Sequence, residues 1–240
     1  RPFFNDKEIV ALQKFMLAWS KENPKPITKY KRTLLRYYVD FILASGVRPG
    51  KEIGSIKVKH IQTDWRNPYD KKTYVYVSMP HRKTKENDYI ILPHAFRHTI
   101  EGILNHTKRT ELEEYLFPAV DGKPIQGFPE MFMHCLEESS LRFDNLDRAR
   151  CLYSLRHTYA TQRILKDRVS WDVLAEQMGT SVQMLQVHYV KMKKEIEAKK
   201  FAGPVIDFDL LPKNDDPQTV SLEGLSDEDK LKVMKIIGKG

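Results

Sequence analysis

The spacing of apolar residues changes twice along this chain, and that change limits the fold more than any other feature of the sequence. Near the start, Ile9, Leu12, Phe15, Met16 and Trp19 recur three and four apart, which places them on one face of a helix. Asn5, with Glu8 three residues on, has the pattern of a helix cap, and Pro24 and Pro26 mark where that helix must stop. Leu34, Leu35, Tyr38, Phe41 and Ile42 make a second stripe. It ends at Gly46, which has no Cβ to oppose the left-handed conformation of a C-terminal cap, so Arg48 stands just beyond a helix end. After a short unassigned stretch over 53–61, Tyr74 to Met79 and Tyr89 to Leu92 are rich in β-formers. Lys83, Lys85, Glu86, Asn87 and Asp88 lie between them as the turn of a hairpin. From Pro93 the helical spacing returns, with helices expected over 94–105, 127–139, 155–166, 170–178, 181–189 and 192–200. The fold class expected is mainly α with a small antiparallel β-sheet, an α+β arrangement.

At 240 residues the chain can build a core without metals or disulfides. Its formal charge of +8 is unevenly placed: from Pro204 onward eight acids face five bases, leaving +11 on residues 1–203. A basic body favours polyanions, because each phosphate contact releases condensed counterions. Cys135 and Cys151 are the only cysteines and have no paired spacing, so a reducing cytoplasm is expected. No run approaches 18 apolar residues, so no membrane span is expected. The chain starts at Arg1, from which we expect a fragment of a longer protein with an N-terminal domain missing. Past Phe201, Pro204, Pro212, Asp215, Asp216 and Pro217 read as a linker. It leads to Ser226 as a cap and to Leu231, Met234 and Ile237 on one side of a short final helix, a stripe too small to fold alone.

Cleaving a phosphodiester without a metal requires a nucleophile, cations to hold the charge on five-coordinate phosphorus, and an acid for the departing oxygen. Arginine suits the second task, since its planar guanidinium binds two phosphate oxygens at once. Arg156 lies in the run from Tyr153 to Thr161, where Ser154 is the expected cap and Arg156 falls in the first turn, next to the positive end of the helix dipole. Tyr189 lies 33 residues further on, after Gly179, Thr180 and Ser181, which read as one helix stopping and another starting.

Three further segments join this one. Leu174 to Ser181, the His188-Tyr189 pair and the box from Gly46 to Glu52, taken with the run from Tyr153 to Thr161, resemble the catalytic domain of a tyrosine recombinase of the phage integrase type. The likeness covers about residues 5–200 in the right order. It implies that residues 1–203 are a DNA breaking and rejoining domain, that Arg48 and Arg156 clamp the scissile phosphate, and that Tyr189 attacks it to leave a 3′-phosphotyrosyl bond and a free 5′-hydroxyl. The family's lysine, carried on a β-hairpin, protonates the leaving oxygen; counting back from Pro93 favours Lys85, while the Lys-Thr phrasing favours Lys83. Glu52 would orient Arg48.

Two positions depart from the family. Tyr153 stands where a histidine is usual and Thr180 where His or Trp is usual, so hydrogen bonds to phosphate remain available while a base near neutral pH does not. His157 is read as a buried structural residue, His188 as structural or solvent-facing, and His94 with His98 as a surface pair and not a metal site.

The resemblance also implies no cofactor, no metal and no membrane. The partners are double-stranded DNA bearing specific recombination sites, a homo-tetramer assembled on it, and accessory DNA-bending proteins, in the cytoplasm of a bacterial or phage-infected cell. The Leu231 stripe would dock on a neighbouring protomer or fold back on its own. Two other readings stand beside this one: a non-catalytic DNA-binding protein with a helix-turn-helix over 170–189, and a type IB topoisomerase.

Overall fold

The computed structural model describes residues 2–22, 25–82 and 88–187. The expected helix over 192–200, the boundary at 203, the linker, and Leu231, Met234 and Ile237 lie outside these residues, as does His188. The elements run α1 (Asp6–Glu22), α2 (Pro26–Ser45), α3 (Lys51–Gly54), β1 (Ile61–Arg66), β2 (Thr73–Met79), β3 (Asp88–Pro93), α4 (Arg97–Thr107), α5 (Phe128–Glu138), α6 (Leu152–Leu165) and α7 (Trp171–Met178). Residues 182–187 are helical as well.

The caps follow the chemistry of the sequence. The Asn5 N–H donates to Glu8 Oε2 at 2.9 Å and the Glu8 N–H to Asn5 Oδ1 at 3.0 Å, a reciprocal pair that starts α1. Pro26 opens α2, where its missing N–H costs nothing. Gly46 closes α2 in the left-handed conformation at φ 68°, its N–H donating to the Ile42 carbonyl.

The three strands are antiparallel in the order β1-β2-β3. Val77 faces Ile90 and Val75 faces Leu92, and all four are buried. On the opposite face Trp65, Tyr76 and Tyr89 form a row across the sheet, with ring centroids 5.7 and 4.9 Å apart. The hydrophobic pattern predicts only a hairpin, and β1 is the difference. Its sequence alternates poorly, with Ile61 and Trp65 separated by Gln62, Thr63 and Asp64, and the pairing shifts register between Gln62 and Trp65.

One core takes in α1, α2, α4, α5, the inner sheet face and the first turn of α6, through Leu152 and Leu155. A second, smaller cluster joins Tyr159, Ala160 and Ile164 of α6 to Leu174, Ala175, Met178 and Leu185. α6 is thus buried on several sides, and its position fixes both clusters.

The N-terminal segment is pinned to α6 and to the loop before it. The Phe4 N–H donates to Thr158 Oγ1 at 2.9 Å. Arg150, 2 % exposed, stands 4.6 Å above the Phe4 ring, donates to the Phe3, Leu141 and Phe143 carbonyls, and meets both Glu8 carboxylate oxygens at 2.8 and 2.9 Å. Arg150→Ala leaves these acceptors without their donor. Urea unfolding should show a loss of about 3 kcal/mol, the low end for a broken buried pair because Glu8 retains contact with water. A change under about 1 kcal/mol would contradict the pinning.

Candidate active site

Arg48 follows the Gly46 cap, and its guanidinium is held by the next helix. Arg48 Nη1 lies 2.8 Å from Glu52 Oε1, and the Arg48 N–H donates to Glu52 Oε2 at 3.4 Å. The turn between them is fixed from below, where the Gly50 N–H donates to the buried Tyr38 hydroxyl at 2.7 Å. Burial opposes the Arg48 charge, yet the Glu52 hydrogen bond and carboxylate, aided by Tyr153, leave its pKa raised. Arg48 keeps 29 % of its side chain exposed against 9 % for Glu52, so the cation faces outward from a buried anchor.

Arg156 is 4 % exposed and reaches in the opposite sense, into the fold. Its Nη1 donates to the Gly46 carbonyl at 2.5 Å and to the Met178 carbonyl at 2.7 Å. Both are carbonyls at helix C-termini, where no intrahelical donor remains. Gly46 has no side chain because none fits: a Cβ there would collide with the Tyr159 ring. Burial first, then the charges of Arg48 and Arg82, hold the Arg156 pKa down to about 10 against the pull of Tyr153 and Glu52. That value is far above neutrality, so the group is charged and sits at a cost beside a second cation.

The expected cap and helix start are corrected here. α6 begins at Leu152 with Cys151 at its cap, and Ser154 Oγ accepts the Cys151 N–H at 3.1 Å from inside the first turn. Arg156 therefore falls in the second turn, and its place depends on the two carbonyls and not on the helix dipole. The pattern of residue types favours the serine as the cap because cysteine is not an expected cap residue.

The remaining predicted residues divide into those brought together and those not described. Tyr153 acts electrostatically on both Arg48 and Arg156. Its ring lies 5.5 Å from that of His157, which is buried and packed. Gly179 stops α7 at φ 63°, the Thr180 N–H donates to the Ala175 carbonyl, and Ser181 Oγ accepts the Met184 N–H at 3.2 Å to start the next helix. Thr180 is thereby two residues from the carbonyl that Arg156 holds. Lys83, Lys85 and Tyr189 lie outside the described residues. His94 and His98 turn to separate carboxylates, Asp64 at 2.9 Å and Glu101 at 3.3 Å. Tyr153 lines a cleft of about 960 Å³ whose wall is largely apolar and includes Lys51, Lys57, Lys59, His60 and His81.

Sequence reasoning passed over Arg82, Asp88 and Gln177. Arg82 is buried, paired with Asp88 at 2.8 Å, and bonded to the Glu176 and Gln177 carbonyls. It stands in a charged run that reads as a solvated turn, so only its contacts distinguish it.

No family sequence model matches the chain, and no curated protein matches it in sequence. Solved structures do match. The chain is similar to the XerH site-specific recombinase bound to difH substrate, with a TM-score of 0.59 at 15 % identity over 82 % of this chain and 53 % of that one. It is similar to XerA recombinase, with a TM-score of 0.57 at 14 % identity over 83 % of this chain and 65 % of that one. The fold is that of the tyrosine recombinase catalytic domain. The Tn1549 transposon integrase in complex with transposon right end DNA gives a TM-score of 0.53 at 13 % identity, covering 83 % of this chain and 66 % of that one. The chain thus spans about half the length of the XerH chain it matches. Among the described residues of this recombinase fold, no helix is long and apolar enough to cross a membrane.

Because Arg156 carries two helix-end carbonyls and Arg48 carries none, the two arginines should differ in what they do for stability. Arg156→Met is expected to cost about 3 kcal/mol, one charged hydrogen bond lost to each carbonyl, while Arg48→Met should change stability by about 1 kcal/mol or less. Denaturant unfolding of the two variants checks this; equal losses would contradict it.

Proposed function

We propose that this protein is the catalytic part of a site-specific DNA recombinase of the integrase type, acting on double-stranded DNA by transesterification. The observation that carries the reading is the meeting of Arg48 with Arg156. Arg156 bonds to Gly46, 110 residues away in sequence and two positions from Arg48, and the two guanidinium charges oppose each other. Two cations held together at an electrostatic cost suit an anion that both can bind, and a phosphate is the anion that a guanidinium fork fits.

In the proposed reaction the Tyr189 oxygen gives up its proton to a solvent water and attacks phosphorus. A bond from phosphorus to the tyrosine oxygen forms, and the bond to the 5′ oxygen breaks. Lys83 or Lys85 supplies the proton that the departing 5′ oxygen takes up. Arg48 and Arg156 hold the non-bridging oxygens as charge gathers on them, and Tyr153 and Thr180 add hydroxyl donors. Tyr153 serves through its hydroxyl as a hydrogen-bond donor. The 3′-phosphotyrosyl bond retains the energy of the phosphodiester, and the 5′-hydroxyl of a second site reverses the step without a nucleotide cofactor. Glu52 holds Arg48 in place for this. The lysines of the Tyr153 cleft would receive neighbouring backbone phosphates.

Joining strands from two sites requires several protomers. We further propose a homo-tetramer on DNA, with accessory bending proteins, and the segment 204–240 as linker and tail helix docking on a neighbour. A helix-turn-helix reading is weaker, since the helix, glycine and helix over 171–187 are bound into the Arg156 cluster, and it leaves the Arg48 and Glu52 pair without a task. A type IB topoisomerase would share the bond chemistry and would relax supercoiled DNA without a partner site.

A nicked duplex carrying a target site lets the short 5′ fragment diffuse away after cleavage, trapping the covalent species. A protein-DNA adduct resistant to denaturation is expected, and Tyr189→Phe should abolish it. Persistence of the adduct in Tyr189→Phe would defeat the proposal.

A further inference from the structure

Two arginines take up the C-terminal carbonyls of α7 in succession. Arg82 Nη1 donates to the Glu176 carbonyl at 3.2 Å and Arg82 Nη2 to that of Gln177 at 2.6 Å, while Arg156 Nη1 takes that of Met178 at 2.7 Å. The Arg82 side chain is fully buried, with 0 % exposure, and its charge is met by Asp88 Oδ2 at 2.8 Å. Arg82 and Asp88 stand immediately before and after the segment 83–87, so their ion pair closes the β2–β3 connection at its root.

A second clasp acts from the α7 side. The Ile91 N–H donates to Gln177 Oε1 at 3.2 Å, and Gln177 Nε2 donates to the Ile91 carbonyl at 3.0 Å. One side-chain amide thus pairs with the free edge of β3 as a neighbouring strand's peptide would. Room for the arginine comes from Gly179, where a Cβ would lie 2.8 Å from Arg82 Nε.

Stability alone does not account for this arrangement. A buried ion pair is commonly matched or bettered by apolar groups of the same volume, because desolvating both charges offsets their attraction. Here Arg82 Nε is, in addition, buried with no hydrogen-bond partner. What the pair does provide is a unique geometry, since its donors reach one carboxylate and two consecutive carbonyls.

We propose that Arg82 is a positioning residue that, with Asp88 and Gln177, locks the root of the β2–β3 connection onto the last turn of α7 and so sets that connection's place relative to Arg156. The inference rests on the reaction proposed above, in which a lysine of this connection protonates the leaving 5′ oxygen. Arg82 touches neither DNA nor the reacting atoms; it acts through where that proton donor stands.

Replacing the bridging 5′ oxygen with sulfur separates this role from others. A thiol ionises near pH 8.5, at about the value of a cysteine, so the sulfur leaves as thiolate and needs no proton donor. Cleavage of nicked duplexes bearing oxygen or sulfur at the scissile position is measured for the full chain and for Arg82→Met, Asp88→Asn and Arg48→Met. Arg82→Met and Asp88→Asn should cleave the oxygen substrate on the order of 100-fold more slowly, the cost of a catalytic group displaced by about 1 Å. Both should recover to within a few-fold of the unaltered protein on the sulfur substrate, whereas Arg48→Met, lacking a phosphate ligand, should stay slow on both. Asp88→Asn preserves volume and keeps the test open if Arg82→Met unfolds. Equal losses on both substrates, or no loss on oxygen in a folded variant, would overturn the positioning role. Absence of adduct from the unaltered protein on either substrate would refute the recombinase reaction itself, and this inference with it.

Discussion

The Arg156 guanidinium joins the C-terminal ends of two helices, α2 and α7. One nitrogen serves the last carbonyl region of α2 at Gly46 and that of α7 at Met178, each left without a donor by the geometry of a helix terminus. Because Gly46 precedes Arg48 by two residues and Met178 precedes Thr180 by two, this one contact brings three of the predicted site residues into a single neighbourhood. Gly46 must be glycine for two separate reasons, its left-handed backbone and the Tyr159 ring against it. The small cluster around Tyr159, Leu174 and Met178 then keeps α7 in reach of Arg156.

Charge is distributed around this joint with a consistent logic. Each arginine near the site is matched to a fixed acceptor set: Arg48 to Glu52, Arg82 to Asp88 and two carbonyls, Arg156 to carbonyls alone. Arg156 has no carboxylate of its own among these contacts, and burial together with its cationic neighbours lowers its pKa to about 10. An anion entering beside Arg48 and Arg156 would supply the missing countercharge, so the same imbalance that burdens the folded protein favours a phosphate ligand.

Much of this was legible in the sequence, and the parts that were not have physical reasons. The stripes of α1 and α2, the Asn5 cap, the Gly46 terminus and the Gly179 break are all local, depending on spacing and on which residues tolerate a positive φ. Arg48 with Glu52 is nearly local too, since the pair is four apart. β1 was missed because a polar, bulged strand has no clean alternation, and the α6 cap because cysteine took a place usually held by serine. Arg82, Asp88 and Gln177 were invisible for a deeper reason. Arg82 and Asp88 are six apart, but what ties them and Gln177 to the rest of the site are backbone groups 86 to 95 residues away, which leave no mark on the side-chain pattern. A buried arginine inside a lysine-rich turn looks in sequence like one more solvated charge.

The central claim is that Arg48 and Arg156 address one phosphorus atom. A crystal structure of the protein with an uncleaved duplex tests it most directly. The account predicts both guanidinium groups within about 3.2 Å of non-bridging oxygens of the same phosphate. Arginines bound to different phosphates, or an Arg156 engaged with the Gly46 and Met178 carbonyls alone, would contradict it.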